Sequence, residues 1–136
     1  MNNKYPLEKL EKNIGYEFKD RELLLTALTH SSLKNEPEGA GRDDYERQEY
    51  LGDAVLELVS SEFIFHTHPE IREGEMTKLR ASLVCEPTLA ECAKEIELSD
   101  FIMLGRGEDM QDSRHKDSIV SDVFEALIGG IFLDSG

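Results

Sequence analysis

The chain has 136 residues, 39% of them hydrophobic and 32% charged, with a formal net charge of −14. That length holds one domain with a real core and is too short for two ordinary ones. The charge argues against a general nucleic-acid binder, since phosphate contacts need clustered Lys and Arg, unless bound cations neutralise part of it. No apolar run is long enough to span a bilayer, and the opening "MNNKYPLEKLEKN" holds no hydrophobic signal segment, so the expected location is the cytosol.

The predicted elements are helices throughout. "PLEKLEKNI" has apolar residues at helical spacing and stops at Gly15, a C-cap. Asp20 is placed to cap "RELLLTALTH", whose Leu23, Leu24, Ala27 and Leu28 share one side. Residues 31–43, with Pro37, Gly39 and Gly41, read as a loop. A long helix covers roughly residues 44–66 and ends before Pro69. "EMTKLRASLVC" and "PTLAECAKEI" form two more, Pro87 lying near the start of the second. "LGRGEDMQDSRHK" is a charged, glycine-bearing loop, and "DSIVSDVFEALIGGIFLDSG" is a final helix. No alternating strand pattern persists, and the fold class is all-α. Cys85 and Cys92 are seven apart, about 10 Å along a helix axis, too far for a disulfide and without zinc spacing. Both are expected as small core residues.

Two of these helices carry acids where apolar residues dominate. In "ERQEYLGDAV", Glu46, Glu49 and Asp53 fall within an arc of about 60°, with Glu57 next on the stripe. In the last helix, Asp122 and Glu125 share a face among Ile119, Val120, Val123, Phe124, Leu127, Ile128, Ile131 and Phe132. Like charges so spaced repel, and a carboxylate on a central helix is costly unless paired or bound to a cation. Gly52 and Gly129 would let the two backbones approach closely, which sets the two stripes face to face as a cluster of at least four carboxylates.

Lys or Arg would compensate such a cluster as an ion-pair network. A hard cation is the alternative: all-oxygen ligands favour Mg²⁺, Mn²⁺ or Ca²⁺ over zinc. The Glu-x-x-His pairs of a di-iron bundle are missing, as is the calcium-loop pattern. What remains is a magnesium site on two helices, which suggests phosphate chemistry.

"ERQEYLGDAVLE" resembles the signature stretch of the ribonuclease III family, whose pattern is close to Glu-Arg-Leu-Glu-Phe-Leu-Gly-Asp-Ser/Ala-Val. It departs at Gln48, usually apolar, and at Tyr50, usually Phe; neither change removes an acid. "IGYEFKDRELLLTALTHSS", "REGEMTKLRASLVCEPTLAECA", "LGRGE" and "DSIVSDVFEALIGGIFLDSG" are similar to further family segments in the same order. The resemblance implies a Mg²⁺-dependent endoribonuclease, with Mn²⁺ as a substitute, that cuts double-stranded RNA to 5′-phosphate and 3′-hydroxyl ends with short 3′ overhangs. It implies a part in rRNA and mRNA processing. Glu49, Asp53, Asp122 and Glu125 match the catalytic metal ligands, and Glu46 and Glu73 two further acids of the cleavage site. Tyr50 matches an aromatic that plugs into a pocket of the partner subunit, which implies a homodimer. The whole of 1–136 corresponds to the catalytic domain. The double-stranded-RNA-binding domain of common bacterial members is absent from this chain, as expected of an excised domain or of the naturally short mini-ribonuclease III.

Other residues carry blander expectations. Glu57 reads as an exposed rim acid and His30, in "THSS", as a hydrogen-bonded structural residue. His66 and His68 are not spaced for a metal on one helical face. His115, with Arg114 and Lys116, either touches RNA phosphates or is a solvated cluster, while Lys78 and Arg80 either line the RNA side or pair with the acids. Three rival functions stand beside the nuclease: a non-catalytic dimeric scaffold of the same fold, a phosphohydrolase of small esters, and an acidic interaction protein. Retention of all four acids speaks against the first, and the lack of a His–Asp ligand set against the second.

Overall fold

The computed structural model describes residues 6–39 and 41–136. Each helix boundary has a local cause. α1 (Leu7–Ile14) follows Pro6 and stops at Gly15, whose φ of 71° is the left-handed conformation that glycine adopts without penalty. α2 (Arg21–Leu28) is capped by Asp20, which accepts from the Glu22 N–H at 3.0 Å. α3 (Glu46–Thr67) runs 22 residues, about 33 Å. Asp44 tethers its start, accepting from the Glu46 N–H at 3.0 Å. α4 (Glu73–Leu83), α5 (Glu86–Glu95), a short α6 (Arg106–Met110) and α7 (Asp117–Ser135) complete the helices. Among the described residues the sole β contact is a parallel bridge between Thr29 and Met103, so the all-α expectation holds.

α7 is the axis of the molecule. α2, α3 and α5 pack around it and bury Val120, Val123, Ala126 and Leu127. Leu10, Leu24, Leu28, Leu33, Leu98, Phe101 and Met103 complete one apolar core. Each such leucine, fully withdrawn from water, contributes about 1.5–3 kcal/mol. After α5 a 3₁₀ turn at Leu98–Phe101 leads into a short extended stretch around Met103, held by Met103 N–H to Leu28 O at 2.8 Å and His30 N–H to Met103 O at 2.9 Å. One acid is buried with it. Glu11 accepts from the Phe18 N–H at 2.8 Å and pairs with Arg21 at 2.7 Å, which satisfies its charge.

The far half of α3 differs. Of its residues only Ile64 is buried, while Leu58, Val59, Phe63 and Phe65 face solvent, and α4, which packs beside it, buries none of its own. The two helices form an arm extending from the body.

Three expectations are corrected. Residues 31–43 are not plain loop: 3₁₀ turns occupy Ser31–Asn35 and Pro37–Gly39. The stretch 104–116 is partly helical, with α6 followed by a turn at Ser113–His115, stapled by the buried Ser113 hydroxyl donating to Glu108 at 2.7 Å. Cys85 and Cys92 are not core residues. Cys85 is exposed and Cys92 half-buried. Cys85 sits at the joint before α5, where its thiol meets Thr88 Oγ1 at 3.1 Å instead of the core.

Candidate metal centre

α3 and α7 touch backbone to backbone. A Cβ added at Gly52 would fall on the carbonyl of Glu125, and one at Gly129 on the carbonyl of Gln48. No other residue fits without driving the helices apart. Gly52 immediately precedes Asp53 and is three residues beyond Glu49, while Gly129 is one turn beyond Glu125. The contact that draws the backbones together therefore brings the two acidic stripes together.

Carboxylate oxygens of Glu49, Asp122 and Glu125 lie within 4.8 Å of one another, all three residues half-buried. Asp53, more exposed, lies close enough to act on Glu125. Burial pushes the Glu49 carboxyl up to about 7, reinforced by the charge of Asp122, by the hydrogen bond to Asp122 and by Glu46 and Asp53. Burial likewise pushes Glu125 up to about 8, with Asp53 the next cause, then Glu49 and Asp122. Asp122 is raised by burial as well, opposed by its interaction with Glu49.

The charges acting on Glu49 and Glu125 are all negative. Among the described residues, the ion pairs of Lys and Arg reach Glu8, Glu11, Asp44, Glu22, Glu57, Glu91 and Asp109, and none of the four cluster acids. The ion-pair alternative is thereby removed. An all-oxygen, partly desolvated set of acids that the chain leaves uncompensated fits a hard divalent cation.

The remaining candidates divide. Glu46 is exposed at the edge of the cluster and acts on Glu49. Glu73 is not brought to the cluster; it starts α4 and lines a separate depression of about 310 Å³ with Ser61, Ile64, Phe65, Met76, Thr77 and Arg80. Glu57 leaves the acidic stripe by pairing with Arg80 at 3.0 Å, which assigns Arg80 to an ion pair on the arm. Tyr50 is 84% exposed on α3. His30 accepts from the Ser32 N–H at 3.0 Å and meets its hydroxyl at 2.8 Å, the structural residue expected. His115 pairs with Asp112 at 2.7 Å and Arg114 with Asp109 at 2.8 Å, so both spend their polarity within the turn.

One neighbour of the site escaped sequence reasoning. Tyr45, just before α3, is buried, and burial, then the charges of Asp122, Glu49, Glu46 and Asp44, hold its hydroxyl well above the usual phenol range. The available signal was its position, one residue ahead of the acidic stripe.

A ribonuclease-III-like family profile matches residues 20–136. The chain belongs to the ribonuclease-III-like family. Among these relatives, Ribonuclease 3 of Listeria monocytogenes serotype 4a (strain HCC23) is 46% identical over 129 residues, 95% of this chain and 56% of the relative. Ribonuclease 3 of Oleidesulfovibrio alaskensis is 53% identical over the same length and shares. The chain thus spans about half the length of the curated relatives it matches, at 56%. The nuclease domain of ribonuclease III from Campylobacter jejuni superposes with a TM-score of 0.89 at 45% identity, covering 96% of this chain and 87% of that one. That structure was described for flexibility in its region of dimer formation. A second structure of the same nuclease domain gives a TM-score of 0.87 at 45% identity and covers 100% of this chain and 86% of that one.

Within the ribonuclease-III-like signature, the departure at Gln48 has a physical reason. Its side chain is buried and its amide donates to Leu23 O at 3.0 Å and Ala126 O at 3.3 Å. One polar group joins α2, α3 and α7 with its donors satisfied, so the apolar position tolerates it.

Proposed function

We propose that this chain is the catalytic part of a divalent-metal-dependent endoribonuclease that hydrolyses phosphodiesters of double-stranded RNA, leaving 5′-phosphate and 3′-hydroxyl ends with short 3′ overhangs, in the processing of rRNA and mRNA. The observation that carries this reading is the convergence of Glu49, Asp122 and Glu125, with Asp53 acting on Glu125 and no ion pair from the chain to offset them, in a member of the ribonuclease-III-like family. These four residues hold Mg²⁺, or Mn²⁺ in its place. When bound, the ion activates water as the nucleophile and offsets negative charge at the scissile phosphate.

The chain's own part is positional. Glu49 and Asp53 from α3 and Asp122 and Glu125 from α7 form a rigid, partly dehydrated cup. Glu46 at its edge and Glu73 on the neighbouring depression act as auxiliary acids of the cleavage surface. Two copies pair through the exposed face of α3, with Tyr50 as the anchoring aromatic, and a two-fold dimer has one site for each strand of the duplex. The reaction belongs in the cytoplasm; among the described residues no helix is long and apolar enough to cross a membrane.

The first test is cleavage of an end-labelled RNA duplex with Mg²⁺ and with EDTA, beside a single-stranded control. Metal-dependent cuts confined to the duplex and ending in 5′-phosphate support the reading. Equal cutting of single strands, or activity unaffected by EDTA, overturns it. The scaffold alternative has nothing in its favour, since all four acids are present.

A further inference from the structure

Gln48 does more than satisfy its own donors. The residue is 8% exposed and stands one position before Glu49 on α3. Its Nε2 donates to Leu23 O of α2 at 3.0 Å and to Ala126 O of α7, one position after Glu125, at 3.3 Å. Both acceptors lie inside helices, where a carbonyl oxygen keeps a second lone pair for such a bond. Room for the amide comes from Gly130: a Cβ there would stand 3.0 Å from Nε2 and 3.3 Å from Leu23 O. Of the two adjacent glycines of α7, Gly129 admits the α3 backbone and Gly130 admits the Gln48 side chain.

The glycine contact between α3 and α7 resists only approach. It sets how near the two helices come and leaves each free to roll about its own axis. Apolar packing restrains a roll weakly, because it is non-directional, whereas a hydrogen bond has a preferred direction. A roll of about 20° carries an atom at the outer radius of a helix through about 2 Å. A metal site tolerates about 0.2 Å in its ligand distances. The Gln48 amide fastens α3 to two helices at once, and the fastening points adjoin Glu49 on α3 and Glu125 on α7, both members of the acid cluster.

We propose that Gln48 is a positioning residue of the metal centre: its amide, bonded to Leu23 O and Ala126 O, fixes the rotation of α3 against α7 and so aims Glu49 and Asp53 at Asp122 and Glu125. The proposal rests on the metal-site reading given above. An apolar side chain at this position fills the space without supplying the direction, and here it would face the gap that Gly130 leaves. Groups that orient metal-ligating side chains typically matter by 10–100-fold in affinity.

The test is calorimetric titration with Mn²⁺ alone, without RNA, beside thermal unfolding. It compares the parent chain with Gln48→Leu, Gly130→Ala, the two substitutions together, and Leu10→Val. Gln48→Leu removes the donor and keeps the position apolar and buried. Gly130→Ala keeps Gln48 and pushes its amide aside. Leu10→Val trims the core in α1, outside the three helices that Gln48 joins, and reports what lost stability alone does to metal binding.

Gln48→Leu is expected to bind Mn²⁺ about tenfold more weakly than the parent. Gly130→Ala is expected to shift in the same direction, and the two together to bind no more weakly than Gln48→Leu, since no amide remains to displace. Leu10→Val is expected to bind like the parent. The electron spin resonance of bound Mn²⁺, which reports the symmetry of its ligands, is expected to change in Gln48→Leu and not in Leu10→Val. Parent-like affinity in Gln48→Leu overturns the proposal and leaves the metal site standing. Affinities that follow the unfolding temperatures, Leu10→Val included, also overturn it, as do additive losses from Gln48→Leu and Gly130→Ala. A parent chain that binds no Mn²⁺ overturns the metal-site reading and this proposal together.

Discussion

Glu125 is the most instructive single residue. Its carboxyl is pushed up to about 8 by burial and by Asp53, so at neutral pH the metal-free protein holds a proton there that the unfolded chain would release. Glu49, pushed up to about 7, does the same. For a carboxyl whose folded value is raised, the stabilising contribution is fully present below its unfolded value of about 4.5 and is lost as pH rises through the folded value. In EDTA the unfolding temperature is therefore expected to fall between about pH 5 and pH 8, and Mg²⁺ or Mn²⁺ to raise it more at pH 8 than at pH 5.5. Thermal scans at the two pH values, with and without metal, check this. Glu125→Gln should flatten the metal-free slope, which separates the site from the general repulsion of a chain at −14. The same substitution removes a ligand and should lower duplex cleavage by more than about a hundredfold. In EDTA it should leave the unfolding temperature unchanged or higher, because an amide stays neutral there without the proton that the carboxyl must take up on folding. Wild-type cleavage by Glu125→Gln would remove it from the metal ligands.

At the scale of elements, the α3–α7 crossing matters most. Gly52→Ala places a methyl group on the Glu125 carbonyl. Overpacking of this kind costs about 1–3 kcal/mol, against less than about 1 kcal/mol returned by helix propensity. Denaturant unfolding should show that net loss, and Mn²⁺ affinity should fall with it because the acids move apart. Gly74→Ala, on α4 with open space around it, is the control and should shift stability by no more than about 1 kcal/mol, toward the stable side. Much of this crossing was legible in the sequence. Acids recurring on one face of an apolar helix, with a glycine beside Asp53 and another beyond Glu125, already imply two helices in close contact. α6 was not legible, because five residues are too few for a helical period to show. Cys85 misled because its apolar neighbours in α4 suggest a core face, whereas α4 lies on the arm and buries nothing.

For the whole molecule, the division into body and arm decides how it meets other molecules. The body is closed around α7; α3 leaves Tyr50, Leu58 and Phe65, which fall within about 80° of one another around the helix, in water, and on its other side Val59 and Phe63. An apolar face of that extent on one helix marks an interface. Tyr50→Ala should weaken self-association by about 2 kcal/mol or more, as removal of a central aromatic anchor does. Sedimentation would then show the variant nearer 15.4 kDa at concentrations where the parent has twice that mass. A parent that sediments as a monomer at all concentrations would remove the dimer from the proposal. The sequence pointed to Tyr50 through its motif alone; that the apolar face continues to Phe65 appears only in the folded chain, since periodicity cannot tell a core stripe from an unpartnered one. Gln48 was opaque for the opposite reason. A polar residue at an apolar position looks like a defect until its two carbonyl partners, 25 and 78 residues away, are in view.

The glycine contact between α3 and α7 also acts as a gauge. Helices that meet through side chains can shift by fractions of an ångström as those side chains repack, but here the Glu125 carbonyl abuts Gly52 directly. The spacing between the two acidic rows is a backbone dimension, with little play to take up an arm that is too long or too short. Conservative exchanges at the site should then be poorly tolerated: Asp53→Glu and Glu125→Asp keep the charge yet alter the reach by one methylene. The same stiffness favours a small ion with strict octahedral demands over a larger one that needs its ligands to spread. Ion choice, on this view, is set by two residues that have no side chains at all.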